Sequence, residues 1–302
     1  MKKTLLSTMI LALLTTYMGC DLQQEVDLNL PEYEPQIVAE SYLQVGQPPV
    51  ITLTRSASFF EDIQLEFIRD AEVTLEHRGE IDTLVPFEID FTDPDLGGVI
   101  DSNLIILLEP LFGSSLYIYT SLSPLPEDYN SEYRLGVRTL EDETISATTF
   151  IPPPVPIDSI VIKFDEDSMA AVQTYFFDPP GIRNYYRYSF RRRVTEIITD
   201  GSGNTDTVRT ETIDQDFFLD DELTDGETIV VGTLFEYEPE DSVIIDLYSV
   251  TEAYFDFGET VQDAITANLS PFGQPTLIQS NVNGGTGIFT GVSQTQEQRV
   301  IP

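Results

Sequence analysis

The chain has 302 residues, with 15 Lys and Arg against 52 Asp and Glu, so its formal charge at pH 7 is −37. Such acidity argues against a nucleic-acid-binding protein, because phosphate is bound by basic side chains. A single His and a single Cys exclude a zinc centre built from these residues and a disulfide framework. Hydrophobic residues make up 41% of the chain, which predicts a folded core.

Residues 1–19 have the features of a lipoprotein signal peptide. Lys2 and Lys3 give a basic start, an uncharged apolar stretch follows, and Gly19 precedes Cys20. The pattern predicts cleavage before Cys20 and lipidation of its thiol; the alternative is a secreted or inner-membrane-anchored chain in which Cys20 is incidental. Residues 20–34 are acidic and predict an extended tether from the lipid. No later run of 18 apolar residues follows, so the lipid is the only membrane attachment that we expect.

Residues 35–150 are typical of an antiparallel β-sandwich of the Ig-like kind. Short β-rich runs recur with turn residues between them, and in one of them Ala71, Val73 and Leu75 alternate with polar residues. This spacing predicts an N-terminal sandwich domain over 35–150.

Residues 151–156 contain four prolines, which cannot donate to a strand ladder and which stiffen the chain. We interpret this segment as a linker between the first domain and a C-terminal β-rich domain over 157–302. A strap that covers a sheet edge within one domain is the alternative interpretation.

The second domain contains a predicted hairpin whose turn is at 201–204. Pairing outward from that turn sets four pairs opposite each other: Glu196 and Arg209, Arg193 and Thr212, Arg191 and Asp214, and Tyr188 and Phe217. The basic cluster at 191–193 is then explained as arginines that balance an acidic partner strand. A contact with an anion or with lipopolysaccharide is the alternative.

One amphipathic helix is predicted at about residues 250–267. Ser249 and Glu252 have the spacing of a capping box, and an apolar stripe with helical period follows. A stripe of this kind indicates packing against a core.

The residues give little support for catalysis. His77 lies at a predicted strand end, and the chain has no Gly-x-Ser-x-Gly motif, so we expect an exposed turn histidine rather than part of a catalytic triad. Carboxylate pairs for glycoside hydrolysis are inevitable among 52 acids and carry no information. We therefore expect no enzyme activity and no cofactor.

No metal site is expected, although two acidic segments deserve comparison with calcium loops. The weak calcium candidates are Asp90, Asp93 and Asp95, and a second dense acidic run spans 214–222. Neither has the spacing of an EF-hand loop, so solvated loops are the simpler interpretation. The glycine-rich run at 283–287 lacks the Lys of a phosphate-binding loop and predicts a bend before the last strand.

Several segments together resemble a family of Bacteroidota lipoproteins, domain of unknown function 4249. The matching segments are Cys20, YRL at 133–135, IPPP at 151–154, YYRY at 185–188, FFLDD at 217–221, DGETI at 225–229, PFGQP at 271–275 and SNVNGGTGIF at 280–289. The resemblance implies an outer-membrane lipoprotein that occurs beside a SusC-type TonB-dependent transporter, with no known catalytic residues. The acidic residues after Cys20 also resemble the surface-export signal of such lipoproteins.

These observations predict a surface-exposed, lipid-anchored accessory or binding subunit of an outer-membrane β-barrel complex, most simply a TonB-dependent transporter. The alternatives are a structural subunit of an outer-membrane assembly or secretion machine, a hydrolase, and a calcium-stabilised adhesin. The expected partner contacts lie in the irregular segments, including the linker and residues 86–115. The individual candidates are Phe112, Gly284, Gly285 and Phe289.

Overall fold

Alternation of apolar and polar residues sets the secondary structure of most of this chain. The computed structural model describes residues 33–57, 65–91, 115–199, 205–269 and 276–302. The cleavage site at Cys20, the turn at 201–204 and the candidates Asp93, Asp95 and Phe112 lie outside these residues. Within them the protein is mostly β, as predicted, with one helix.

Eight strands precede the proline-rich segment. They are β1 (Ile37–Leu43), β2 (Val50–Arg55), β3 (Glu66–Phe67), β4 (Glu72–His77), β5 (Glu80–Asp90), β6 (Ser115–Thr120), β7 (Glu132–Arg138) and β8 (Thr144–Phe150). Seven strands and the helix follow it. They are β9 (Ser159–Phe164), β10 (Ala170–Phe177), β11 (Tyr185–Thr199), β12 (Thr205–Asp220), β13 (Thr228–Gly232), β14 (Ser242–Val250), α1 (Glu252–Leu269) and β15 (Thr286–Val300).

Twelve of the strands form one sheet in the order β12-β11-β14-β15-β1-β2-β6-β5-β4-β7-β8, with β3 paired to β2. The remaining strands form a small sheet in the order β13-β10-β9. The large sheet is mixed rather than purely antiparallel, because β1 and β15 run in parallel.

Strand β15 belongs to both halves of the chain. Its first residues, from Thr286 to Gly291, pair with β1, and the residues from Val292 to Val300 pair with β14. Pro35–Pro302 group as one compact unit. The domain boundaries at 150 and 157 stay a prediction. The structure shows that β15 joins β1, which precedes these boundaries, to β14, which follows them, in one sheet.

Three clusters of buried residues make up the core. The first lies among β1 to β8 and includes Tyr119, Tyr133 and Phe289. The second fills the space between the small sheet and strands β11 and β14. The third lies under α1, where Tyr254 packs against Tyr185 and Val250.

The proline-rich segment is bound along β15. Ile151 is completely buried, and Val155 is almost so. The hydroxyl of Ser293 donates to the carbonyl of Pro152, and the hydroxyl of Thr295 donates to the carbonyl of Val155 at 2.7 Å. Side chains of the last strand thus satisfy carbonyls that the prolines leave without a strand partner.

The β11–β12 hairpin confirms one predicted pair and corrects the others. Tyr188 lies opposite Phe217, as predicted. The register then shifts by one residue between Phe190 and Arg191, so Arg191 lies opposite Ile213. The shift adds one residue to β12, and that residue is Asp214. The observed partners of the other predicted residues are Glu211 for Arg193, Val208 for Glu196 and Thr195 for Arg209.

Helix α1 begins later than the capping box predicted. Ser249 is still part of β14, and Thr251 caps the helix instead, since its hydroxyl accepts the Tyr254 N–H at 3.3 Å. The apolar face packs on the sheet at Gly258, where an added Cβ would lie 2.2 Å from the ring of Phe218. Glycine therefore permits close contact between the helix and β12.

Candidate functional site

An exposed apolar surface lies on the outer face of β5. This strand pairs first with β4 and then, from Val85 onward, with β6. Leu84 faces the core and is 3% exposed, so strand alternation turns the odd-numbered residues outward. We name three of them the β5 stripe: Ile81, Val85 and Phe87, which are 67%, 50% and 56% exposed.

The exposed side chain of Val50 on β2 extends this surface. Val50 and Val85 both pair with Thr120 of β6, so they are close together on the same face. Ile118 of β6 lies opposite Phe87 and is largely buried. Exposed carboxylates of Glu80, Asp82 and Glu88 stand along the same strand. These carboxylates are at even-numbered positions and therefore alternate with the stripe rather than surround it. Exposed apolar side chains grouped on one face of a strand are more typical of a protein-binding patch than of scattered surface residues.

A polar groove of about 430 Å³ lies where the ends of β7 and β8 meet the start of α1. Two carboxylates, Glu132 and Glu252, face it, together with the half-exposed ring of Phe150. The remaining lining residues are uncharged: Asn130, Thr148, Thr149, Thr251, Ala253 and Asn281. The groove therefore favours cations or neutral polar groups over anions.

The three arginines at 191–193 are engaged with acidic side chains. Arg191 bonds to the buried Asp246 at 2.7 Å, and both Arg191 and Arg193 bond to Glu211. Arg192 lies 3.4 Å from Asp214 and stacks over a tyrosine ring. These contacts agree with the interpretation that the cluster balances acidic neighbours.

The expectation that His77 is exposed is wrong. Its ring stacks on Tyr133 with centroids 4.0 Å apart, and Nε2 lies 2.8 Å from an oxygen of Asp128. The hydroxyl of Ser131 donates to Asp128 and not to the histidine. This is not the arrangement of a nucleophilic triad, in which the serine bonds to the imidazole.

Asp128 is the centre of this cluster. Its partial desolvation raises the pKa of the carboxyl, but the hydrogen bond from Ser131 and the charges of Arg78 and His77 outweigh that effect, and the pKa is lower than usual. The side chain of Arg78 donates to it at 2.6 Å. The cluster thus ties the β4–β5 turn to the segment before β7.

Three carboxylates from distant segments meet beside the small sheet. Asp178, Asp221 and Asp225 offer oxygens within 4.8 Å of one another, and the first two residues are 0% and 2% exposed. The Tyr186 hydroxyl donates to Asp178 at 2.5 Å. Burial, and then this hydrogen bond to Asp178, raise the pKa of the Tyr186 hydroxyl. Carboxylate oxygens are the ligands that calcium takes, but oxygens of all three carboxylates already accept hydrogen bonds from the Tyr186 hydroxyl or from backbone N–H groups.

Sequence reasoning did not find this cluster. It grouped Asp221 with Asp220 and Glu222, both of which bond to Arg183 instead. Asp178 reaches Asp225 only because β10 pairs with β13, and that long-range pairing has no local signal. The earlier candidate Asp90 lies at the exposed end of β5, far along the chain from this cluster.

The glycine candidates serve the fold. Gly284 and Gly285 form the predicted bend before β15, and a Cβ on either would lie 2.5 Å from a backbone carbonyl of Thr144 or of Ile37. Phe289 is 0% exposed and belongs to the first core cluster. The expectation that its ring contacts a partner does not agree with this burial.

These features define an acidic, mostly β protein built around a mixed twelve-stranded sheet. The chain belongs to the family described as Domain of unknown function (DUF4249), whose model matches residues 23–298. No curated protein matches it. Among the described residues, no helix is both long and apolar enough to cross a bilayer.

One solved structure similar to this chain is a DUF4785 family protein from Legionella pneumophila, at 12% identity and a TM-score of 0.23. The match covers 71% of this chain and 51% of that protein, so the chain spans about half of its length.

Proposed function

We propose that this protein is a surface-exposed, lipid-anchored outer-membrane lipoprotein that acts as a non-catalytic accessory subunit of a β-barrel complex. The partner proposed first is a TonB-dependent transporter of the SusC type, with which lipoproteins of this kind are expected to occur. The anchor is the lipid on Cys20, which the signal-peptide pattern predicts.

The observation that carries the proposal is the β5 stripe. Apolar side chains on the outer face of a sheet gain free energy when a partner covers them. Covering three half-exposed side chains is worth roughly 3 kcal/mol, which corresponds to about a hundredfold in the dissociation constant. The stripe is therefore large enough to direct docking and too small to hold a partner without further contacts.

The charge of the chain suits this position. A formal charge of −37 repels the anionic lipopolysaccharide of an outer membrane, so the lipid and the protein contacts hold the subunit in place.

The test is gentle detergent extraction of the full chain from its native membrane, affinity capture and mass spectrometry. We expect a β-barrel protein at near-equal amount with the native chain. The double variant Val85→Ser and Phe87→Ser is expected to lose at least nine-tenths of that barrel. Leu140→Ser is the matched control, because Leu140 is 80% exposed on the β7–β8 turn, outside the stripe.

Recovery of the chain alone from native membranes would contradict the docking proposal. Equal capture by the stripe variant and by the control would show that the stripe is not the docking surface. The identity of the captured barrel separates the two candidate partners, since an assembly factor in place of a transporter indicates a structural subunit of an assembly machine.

A further inference from the structure

Strand β8 ends the large sheet and pairs with β7 on only one side. On its open side, part of the edge is already occupied by another segment of the chain. The Ser146 N–H donates to the carbonyl of Asn283 at 3.0 Å, and the Asn283 N–H donates back at 2.8 Å. Ser146 thus directs its backbone groups away from β7.

Backbone groups alternate between the two edges of a strand with a period of two residues. Thr148 therefore directs its N–H and C=O to the same open edge as Ser146. Beyond the bridge, the side-chain amide of Asn281 bonds to the backbone N–H and C=O of Phe289 in β15 rather than to β8. Among the described residues, no backbone hydrogen bond reaches Thr148 from the open edge.

The groove described above opens at this position. Thr148 and Phe150 form one wall, and the first turn of α1 forms the other. One oxygen of Glu132 accepts a hydrogen bond from Arg134 Nε, and one oxygen of Glu252 accepts a hydrogen bond from the Tyr185 hydroxyl. Among the described residues that line the groove, none has a basic side chain.

We propose that this groove binds an extended, basic segment of a partner protein, which adds to the open edge of β8 at Thr148. Main-chain hydrogen bonds to Thr148 supply the alignment, as in other cases of strand addition. A Lys or Arg side chain of the segment is placed near Glu132 and Glu252, and an apolar side chain is placed on Phe150.

Charge decides between the possible occupants. The tether of this chain at 20–34 carries acidic residues and no basic ones, so the carboxylates of the groove repel it. A second copy of the chain brings a formal charge of −37 and is disfavoured for the same reason. This inference concerns a site separate from the β5 stripe and does not depend on a membrane partner.

The test uses the full chain and fluorescein-labelled synthetic peptides, with dissociation constants from fluorescence anisotropy. The probe is an extended peptide of alternating Val and Lys or Arg, and its counterpart carries Glu at the basic positions. A third peptide has the basic sequence with N-methyl groups on alternate amides, which removes main-chain donors and keeps the charge. We expect the basic peptide to bind at least tenfold more tightly than the other two.

Thr148→Pro removes the outward N–H of β8 without touching the ladder to β7 and is expected to weaken binding about tenfold. Thr148→Val keeps the backbone and is expected to bind as the native chain does. Glu252→Gln is expected to weaken binding several-fold, whereas Glu141→Gln, an exposed charge outside the groove, has no effect.

Equal binding of the basic and N-methylated peptides would overturn the proposal, because charge alone would then explain the affinity. Absence of binding by the basic peptide would overturn it too. If Thr148→Pro does not fold, as judged by its melting transition, the N-methylated peptide on the native chain still decides the question.

Discussion

At the scale of single residues, the only histidine of the chain is a structural residue held by an acid. His77, Arg78 and Ser131 all converge on Asp128, and the histidine ring covers Tyr133. Hydrogen bonds to an ionised carboxylate favour its charged form over its neutral form. The contribution of the cluster to folding therefore depends on the ionisation of Asp128.

This dependence predicts the effect of Asp128→Asn. A carboxyl whose pKa is lowered by folding stabilises the protein above its unfolded pKa, near 3.9, and that stabilisation is lost as the pH falls through the lower folded value. We expect the variant to have a lower free energy of unfolding than the native chain at pH 7. The difference is expected to shrink below about pH 4. Urea unfolding at several pH values measures it.

Asp82→Asn is the control for that experiment, because Asp82 is exposed on β5 and lies outside the cluster. A loss of stability in Asp128→Asn that stays the same from pH 7 to pH 3 would contradict the electrostatic explanation. It would indicate instead that the side-chain exchange disturbs packing.

At the scale of elements, local pattern predicted the strands well. The alternation at Ala71, Val73 and Leu75 identified β4, since a strand with one face in the core repeats every two residues. The helix was predicted from its apolar stripe at about 250–267, and it begins and ends two residues later, at Glu252 and Leu269. The difference arises because β14 continues through Ser249, which leaves Thr251 as the first residue free to cap the helix.

Features that depend on distant partners could not be predicted in the same way. The bulge at Asp214 depends on which residues of β12 face the core, and the charge pattern alone allows the neighbouring register. The parallel pairing of β1 with β15 and the meeting of Asp178 with Asp221 join segments with no common local pattern. For the groove and the β5 stripe, sequence could identify exposed residues only after the strand register was known.

The contact between α1 and β12 gives a second prediction, for Gly258→Ala. Alanine is favoured over glycine inside a helix by about 1 kcal/mol, but here the new methyl group meets the Phe218 ring. Overpacking of this kind costs about 1–3 kcal/mol, so we expect a net loss of roughly 1 kcal/mol in the free energy of unfolding. Chemical denaturation of the full chain measures the change.

A double-mutant cycle identifies the cause. In a Phe218→Leu background the ring is absent, and the same Gly258→Ala exchange is expected to be neutral or stabilising. A loss of equal size in both backgrounds would contradict the steric explanation and would point to a requirement of the helix backbone itself.

At the scale of the whole molecule, β15 connects cores that the sequence assigned to separate domains. Its first part lies in the ladder with β1, and its second part lies in the ladder with β14. At Gly287, which has a φ of +113°, a Cβ would lie 2.1 Å from the carbonyl of Ala39. The junction between the two halves is thus made by backbone contact between β1 and β15.

We therefore expect the full chain to unfold in a single cooperative transition. Differential scanning calorimetry tests this, because the calorimetric and van't Hoff enthalpies agree for one transition and disagree for two. Gly287→Ala is expected to lower the temperature of that transition without dividing it. Two separate transitions in the native chain would instead support the two independent domains that the proline-rich segment suggests.

The parallel pairing of β1 with β15 also constrains when this protein can finish folding. A ribosome produces β1 before the other described strands and β15 after them, so one edge of β1 has no partner while the strands between them are made. Until β15 is made, that edge is an open template for other strands. A chain truncated before β15 thus keeps a strand edge with which other chains can pair.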